Sequence, residues 1–233
     1  MSSTSKNARV AGCLYLALAM VAPLRLVYIP STLFVTGNAT ATAANIAAHE
    51  TLFRLGIVAD LFCGVILIFL TLALYRLFNG VDPRLGILVV ILGGLLPSAL
   101  DFVMVVNDAA ALILVRGAPF LSVFDKPQRD ALALLFLRLH HQQALGAMIF
   151  WGLWLLPLGI LVYRSRLLPR LLGVWLVING FAYLSVSLTG LLLPQHEDAV
   201  SSVAFPALFG ELAFVLWLLI KGAKERAAQA PAS

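Results

Sequence analysis

Charge is what this sequence has least of. Asp, Glu, Lys and Arg make up 12% of its 233 residues, against about 25% in an ordinary soluble domain. A water-facing surface cannot be built from so few, because 61% of the residues are hydrophobic and mean hydropathy is +0.98. Cysteine is almost absent as well. Cys13 and Cys63 fall in apolar segments that run in opposite directions. A rise of about 1.5 Å per residue puts them far apart in depth, which argues against a disulfide between them, and both read as small apolar residues. Also missing are G-x-S-x-G, H-E-x-x-H and any phosphate-cradling glycine loop, which removes the usual sequence grounds for a serine hydrolase, a zinc protease or a nucleotide enzyme. No cofactor and no metal is expected. The net charge of +5 is spread between apolar segments and forms no single basic patch, which speaks against nucleic acid as a partner.

What the chain does have is six long apolar runs, at residues 10–29, 52–77, 85–106, 144–163, 167–193 and 203–220. Each is long enough to cross a hydrocarbon core, which takes roughly 17–25 helical residues. Inside lipid every backbone amide must find its partner within the segment or in a closed barrel. The expectation is therefore an all-α polytopic bundle of about six transmembrane helices, one integral membrane domain over 1–233, with the lipid bilayer as its surroundings. Six spans and their connections use up the chain and leave no room for a separate soluble domain.

Lys and Arg set the expected orientation. Lys6, Arg9, Arg76, Arg84, Arg164, Arg166, Arg170, Lys221, Lys224 and Arg226 lie in one set of alternate connections, and only Arg116, Lys126 and Arg129 in the other. The excess of positive residues on the cytoplasmic side places both termini there and three loops outside. A cleavable signal peptide would use the same Lys6 and Arg9, yet the apolar run continues past Ala17-Leu18-Ala19 to Ile29, favouring an uncleaved first helix. The Ser-Lys start and the Ala-Gln-Ala-Pro-Ala-Ser end read as disordered tails.

Small residues recur at seven-residue spacing: Gly173, Gly180 and Ser187; Gly86 and Gly93; Gly152 and Gly159. Such stripes let helix backbones approach closely. Pro97 and Pro157 are expected to kink the third and fourth spans. Arg9, Arg84 and Arg170 each precede a glycine within three residues, a weak hint of three repeated hairpins. Asp125-Lys126-Pro127-Gln128 carries the signature of a capping box. A helix from there to Tyr163 is longer than a bilayer is thick, so Gln128 to Leu139 is either an external extension or an interfacial helix.

Ionisable residues inside spans are costly and mark the natural place to look for function. Here they are Arg25, Arg54, Asp60, Asp101 and Glu211, all expected in the outer half, with Asp108, Arg138, His140 and His141 nearer the outer surface. Ser98, Asp101 and Asp108 share one face of the third span. Either the charges pair as structural glue, or they line a cavity that binds, senses or passes a small polar or amphiphilic ligand. An intramembrane enzyme acting on lipid is the alternative, and a purely structural or assembly protein a third. Adjacent His140 and His141 point about 100° apart and cannot share one ion, though one of them with Asp101 or Glu211 has the chemistry for zinc. Ser98, Ser185 and Ser187 are the hydroxyls available to a nucleophilic mechanism, but no motif supports one. Tyr15, Tyr28, Trp151, Trp154, Tyr163, Trp175 and Trp217 read as interface and packing aromatics. Oligomeric state is left open.

A string of short patterns runs along almost the whole chain: Asn45-Ile46, Leu52-Phe53-Arg54-Leu55-Gly56 with Asp60, Leu72-Ala73-Leu74-Tyr75, Phe150-Trp151-Gly152-Leu153-Trp154, and Leu158-Gly159. They go on through Tyr163-Arg164-Ser165, Leu168-Pro169-Arg170-Leu171-Leu172-Gly173, Gly180-Phe181-Ala182-Tyr183, Gly210-Glu211-Leu212 and Leu216 to Gly222. In order and spacing they resemble an uncharacterised bacterial membrane family, domain of unknown function 4386. The resemblance implies a multi-pass protein of the bacterial inner membrane and no reaction. Its pattern coincides with Arg54, Asp60 and Glu211, which singles out those three, and their similar expected depth with the cost of facing lipid places them in one shared interior site. Relatives often carry an acidic residue after the Tyr-Leu of the fifth helix, where this chain has Ser185-Val186-Ser187.

Overall fold

The computed structural model describes residues 3–224, and among them all regular structure is helical. Arg226 and the 228–233 tail lie outside the described residues. Six helical spans are long and apolar enough to cross a membrane: Thr4–Leu33, Glu50–Phe78, Pro83–Arg116, Lys126–Ser165, Arg170–Leu192 and Pro194–Ile220. Their outward-facing side chains include Met20, Val27, Phe69, Ile178, Phe181 and Ile220. Arg25, Asp101, Asp108 and Asn179 are buried. Apolar residues outside and charge inside is the arrangement lipid demands, and the chain is a multi-pass membrane protein.

The spans divide into α1 (Ser3–Pro23), α2 (Ile29–Leu33), α4 (Glu50–Phe78), α5 (Pro83–Val90), α6 (Leu96–Arg116), α7 (Lys126–Ser165), α8 (Arg170–Leu192), α9 (Glu197–Ala204) and α10 (Phe209–Ile220), with a short helix α3 (Ala39–Ala48) between the first two. A single π-helical turn, Leu24–Tyr28, joins α1 to α2 between Pro23 and Pro30, and a second, Ile91–Leu95, joins α5 to α6 just before Pro97. Proline removes an amide and clashes with the preceding turn, and a widened turn accommodates that defect without ending the helix. Pro157, by contrast, sits inside an uninterrupted α7. The sixth span is not one helix: a 3-10 turn at Phe205–Leu208 separates α9 from α10.

Helix boundaries reach further than the hydrophobic runs suggest. The first helix already starts at Ser3, so the Ser-Lys start is helical and not a loose tail. The connection between the first two apolar runs contains α3, capped by Asn38, whose side chain accepts from the Ala41 amide at 2.9 Å. At its start α7 carries the full capping box between Asp125 and Gln128 and then runs 40 residues without a break. At about 1.5 Å per residue that is ~60 Å, twice the ~30 Å hydrocarbon core. The segment 128–139 is thus an extension of the fourth span and not a separate interfacial helix.

Helices α7 and α8 form an antiparallel hairpin, turned by Arg166 in the left-handed region at φ 56°. The seam between them is made of the small residues at seven-residue spacing. A β-carbon on Gly152 would meet the Gly180 carbonyl at 2.6 Å, and one on Gly159 would meet that of Gly173 at 2.6 Å. One heptad further, Ser187 Oγ donates to the Leu145 carbonyl at 2.5 Å. The other stripe opens toward rings: Gly86 lies under Tyr75 and Gly93 under Trp154. Glycines of the three suggested hairpins meet different partners, since Gly12 faces Leu218 and Leu219 while Gly173 faces Gly159.

Two apolar cores result. One, around Leu70, Leu74, Phe78, Leu155, Leu158, Phe214 and Leu218, fills the end of the bundle where α1 begins. The other, around Ile29, Leu33, Ile46, Phe53, Ala111 and Leu137, fills the opposite end beneath α3. Of the buried charges among the described residues, Arg25, Asp101 and Asp108 lie between them, while Asp130 sits near the start of α7 and pairs with Lys126.

Candidate functional site

Arg25 stands in the π-helical turn of the first span, 5% exposed. Its Nε donates to Asp60 Oδ2 at 2.8 Å, and its Nη2 to Asp108 Oδ2 at 2.7 Å. One guanidinium therefore ties the first span to α4 and α6, and it engages a single oxygen of each carboxylate. From α7, His140 brings both ring nitrogens close to Arg25 Nη2, at 3.1 and 2.9 Å, and its Nδ1 lies 3.3 Å from Asp108 Oδ1. Asp108 Oδ1 is buried and makes no hydrogen bond. Beside this node the Asn107 amide donates to the Gln143 side-chain carbonyl. Asp60, Asp108 and His140 each present a possible ligand atom, all within 4.8 Å of one another, the mixed O and N donor set that suits a divalent transition metal.

A second node sits ten residues earlier on the first helix, about 15 Å along its axis. Glu211, at the start of α10, accepts hydrogen bonds from the Tyr15 hydroxyl and from Asn179 Nδ2, the latter at 2.6 Å. The Tyr183 hydroxyl is within hydrogen-bonding reach of the same carboxylate. All its partners are neutral donors, so the charge of this node is delocalised onto hydroxyl and amide dipoles and is not cancelled.

Between the nodes lies a cavity of about 150 Å³, lined by Tyr15, Arg25, Asp60, Cys63, Asp101, Trp151, Trp154, Tyr183 and Glu211 among others. Asp101 is 7% exposed and, among the described residues, has no side-chain hydrogen-bond or ion-pair partner. Its burial comes from α4, where Gly64 leaves room for it. A wider cleft of about 500 Å³, between Phe34, Gly37, Leu134, Arg138 and His141, opens toward the α3 end. Arg25, Leu26, His140 and Ala144 line both spaces and form the partition between them.

The residues expected to converge are thus sorted by the fold. Arg25, Asp60, Asp101 and Glu211 border one cavity. Arg54 does not join them: its side chain is 49% exposed and its Nε donates to Glu50 at 2.7 Å. The reason is local, because α4 begins at Glu50, two residues before the hydrophobic run, and so supplies Arg54 with an i, i+4 partner on its own helix. His141 is exposed near Glu197, 3.7 Å away, while His140 turns inward. The partners of His140 are Asp108 and Asp60, not Asp101 or Glu211. Asp108, placed near water by a third span ending at residue 106, is completely buried because α6 continues to Arg116.

Several residues passed over as packing belong to the cavity. Tyr15, Trp151 and Trp154 line it, with Trp151 edge-on to Tyr183 at 6.0 Å between centroids. Signals for this existed in the sequence, since Tyr15 and Trp154 sit at mid-span and not at the interface where aromatic belts lie. The serines are structural. Ser98 Oγ lies 2.6 Å from the carbonyls of Gly64 and Gly94, Ser185 bonds its own helix, and Ser187 closes the α7–α8 seam. Cys13 and Cys63 are free, Cys13 exposed and Cys63 at the cavity.

Comparison with known proteins adds family and no chemistry. An uncharacterized protein of Archaeoglobus fulgidus is 34% identical over 76 residues, a stretch covering 33% of this chain and 44% of that relative. No solved structure matches. Residues 10–222, all six spans, match the model of one family, and the chain belongs to it: Domain of unknown function (DUF4386).

Proposed function

We propose that this protein binds or passes a small polar or amphiphilic ligand in the cavity between its two polar nodes. The observation that carries this reading is Asp101, a buried side chain without a hydrogen bond that faces the cavity. Structural glue is paired with its partner, as Arg25 is with Asp60 and Asp108. Leaving a fully buried polar group unpaired costs roughly 1–3 kcal/mol, and a ligand that pairs with Asp101 recovers the part of that cost its position at the cavity leaves. Access runs from the cleft beside Phe34 and Arg138 through the Arg25–His140 partition. By the distribution of Lys and Arg, that cleft opens on the outer side of a bacterial inner membrane, with both termini cytoplasmic.

Native mass spectrometry of gently purified protein tests the reading. A small molecule that remains bound to wild type and is lost on Asp101→Leu supports it. Absence of any bound or exchangeable molecule, with no change in Trp151 and Trp154 fluorescence across a ligand library, overturns it. Alkaline-phosphatase fusions test the orientation: activity after Phe120 and none at the C-terminus is expected, and the reverse moves the cleft to the cytoplasmic face.

One observation favours a second reading, an intramembrane enzyme acting on lipid. Asp60, Asp108 and His140 have the donor types and spacing for a divalent metal, and a metal there would supply an activated water. Arg25, holding one oxygen of each Asp, would orient them as ligands. Metal analysis of the same preparation separates the readings: one zinc per chain, lost in His140→Ala, promotes the enzyme.

A further inference from the structure

The cavity is unbalanced in charge and rich in π-faces, and together these specify the chemistry of its occupant. Asp60, Asp101 and Glu211 line it together with His140, while the one Lys or Arg in its wall among the described residues, Arg25, is already committed to Asp60 and to the buried Asp108. Glu211 is held by neutral donors and Asp101 by none. Around them stand the rings of Tyr15, Trp151, Trp154 and Tyr183, with Tyr15 against Trp154 at 5.9 Å and Trp151 against Tyr183 at 6.0 Å. Aromatic faces attract cations, most strongly where water is excluded, and several around one space are suited to quaternary and protonated amines. Met104, Leu18 and Leu67 complete the lining with apolar surface. An anion would meet the uncompensated carboxylates, and a neutral molecule would leave Asp101 without a counter-charge.

Building on the cavity reading above, we propose that the occupant is a small organic monocation, an ammonium group with a compact apolar body, whose charge lies beside Asp101 within the rings of Tyr15, Trp151, Trp154 and Tyr183. A volume of about 150 Å³ limits it to a few carbon and nitrogen atoms. Size and chemistry together exclude a whole lipid, whose headgroup alone would enter. A choline-type headgroup and a free amine share the recognised chemistry.

The experiment is isothermal titration calorimetry on the full chain in nanodiscs. Choline serves as the probe cation, and 3,3-dimethylbutan-1-ol as its uncharged carbon isostere. Choline is expected to saturate one site per chain and to bind at least about tenfold tighter than the isostere, because the two differ only in charge. Asp101→Asn should weaken choline at least about tenfold while leaving unfolding at the same or higher denaturant, since it removes an unpaired buried charge. Trp151→Leu should weaken it roughly three- to thirty-fold through the lost cation–π face. Arg54→Ala, far from the cavity, should leave binding unchanged and serves as the control. Titrating phosphatidylcholine-free against phosphatidylcholine-containing nanodiscs distinguishes the two sources: competition by the lipid identifies a headgroup, its absence a free amine. Equal binding of the isostere, unchanged binding in folded Asp101→Asn, or no binding by any cation from methylammonium to tetraethylammonium would overturn the inference. A neutral or anionic molecule found in the cavity by mass spectrometry would sink the cation and leave the ligand-binding reading standing.

Discussion

The Arg25 node and the Glu211 node solve the same problem differently. Both bury acidic groups among apolar helices. At Arg25, charge is answered by charge: one guanidinium sits 2.8 Å from Asp60 and 2.7 Å from Asp108. At Glu211, charge is answered by neutral donors, a tyrosine hydroxyl and an asparagine amide. A salt bridge is only as good as both its halves, whereas a carboxylate solvated by several dipoles loses one and keeps the rest. The first node should therefore be brittle and the second tolerant.

Breaking the first node gives the largest effect. Arg25→Met strands two carboxylates and should cost about 3–5 kcal/mol, the range seen when one partner of a buried pair is deleted. Adding Asp60→Asn and Asp108→Asn should restore most of it, so a mutant cycle in lipid or detergent reads strong coupling. If Arg25→Met unfolds at the wild-type denaturant concentration, the node is not a salt-bridge network.

The second node sharpens the contrast. Tyr15→Phe removes one of its donors and should cost about 1.5–3 kcal/mol, the worth of a hydrogen bond to a charged group. Glu211→Gln should cost less still, because the Tyr15 hydroxyl still finds a carbonyl oxygen and Asn179, whose Oδ1 has no partner among the described residues, turns its amide to accept from the new Gln NH2. A Glu211→Gln variant as unstable as Arg25→Met would erase the distinction.

A region with no charge sets the scale between them. Gly159→Ala forces a methyl within 2.6 Å of the Gly173 carbonyl, and overpacking of this kind costs about 1–3 kcal/mol. The smallest effect belongs to the surface pair. Arg54→Ala removes an exposed interaction with Glu50 and should leave unfolding unchanged within error, which denaturant titration checks.

Six spans and close helix packing were legible because both are written as local patterns: long apolar runs, and small residues every seventh position; which helices meet along those stripes was not. Nor was the identity of the charge partners. Hydropathy marks where polar residues begin, not where a helix ends, and α4 and α6 each continue beyond their apolar run. Those extra turns decide the site. They give Arg54 a partner at Glu50 and carry Asp108 into the interior beside His140. Arg25 and Asp60 were visible as costly intramembrane charges, but which pairs with which depends on the rotation of each helix about its axis. In the first span that rotation is set by a π-turn, for which Pro23 and Pro30 were the only sequence marks.

That turn has an evolutionary arithmetic. A π-turn closes its hydrogen bond over five residues where an α-turn uses four, so the first span holds one residue more than a plain helix of the same path. Each residue is worth about 100° of rotation. Straightening Leu24–Tyr28 into a regular helix with every residue kept would swing everything on one side of it by more than a quarter turn relative to the other. Either Tyr15 would leave Glu211, or Ile29 and Leu33 would leave the core under α3. The widened turn is thus a phase adjuster: it lets one continuous segment address two neighbourhoods whose preferred azimuths differ, and it places Arg25 at the point where the two meet.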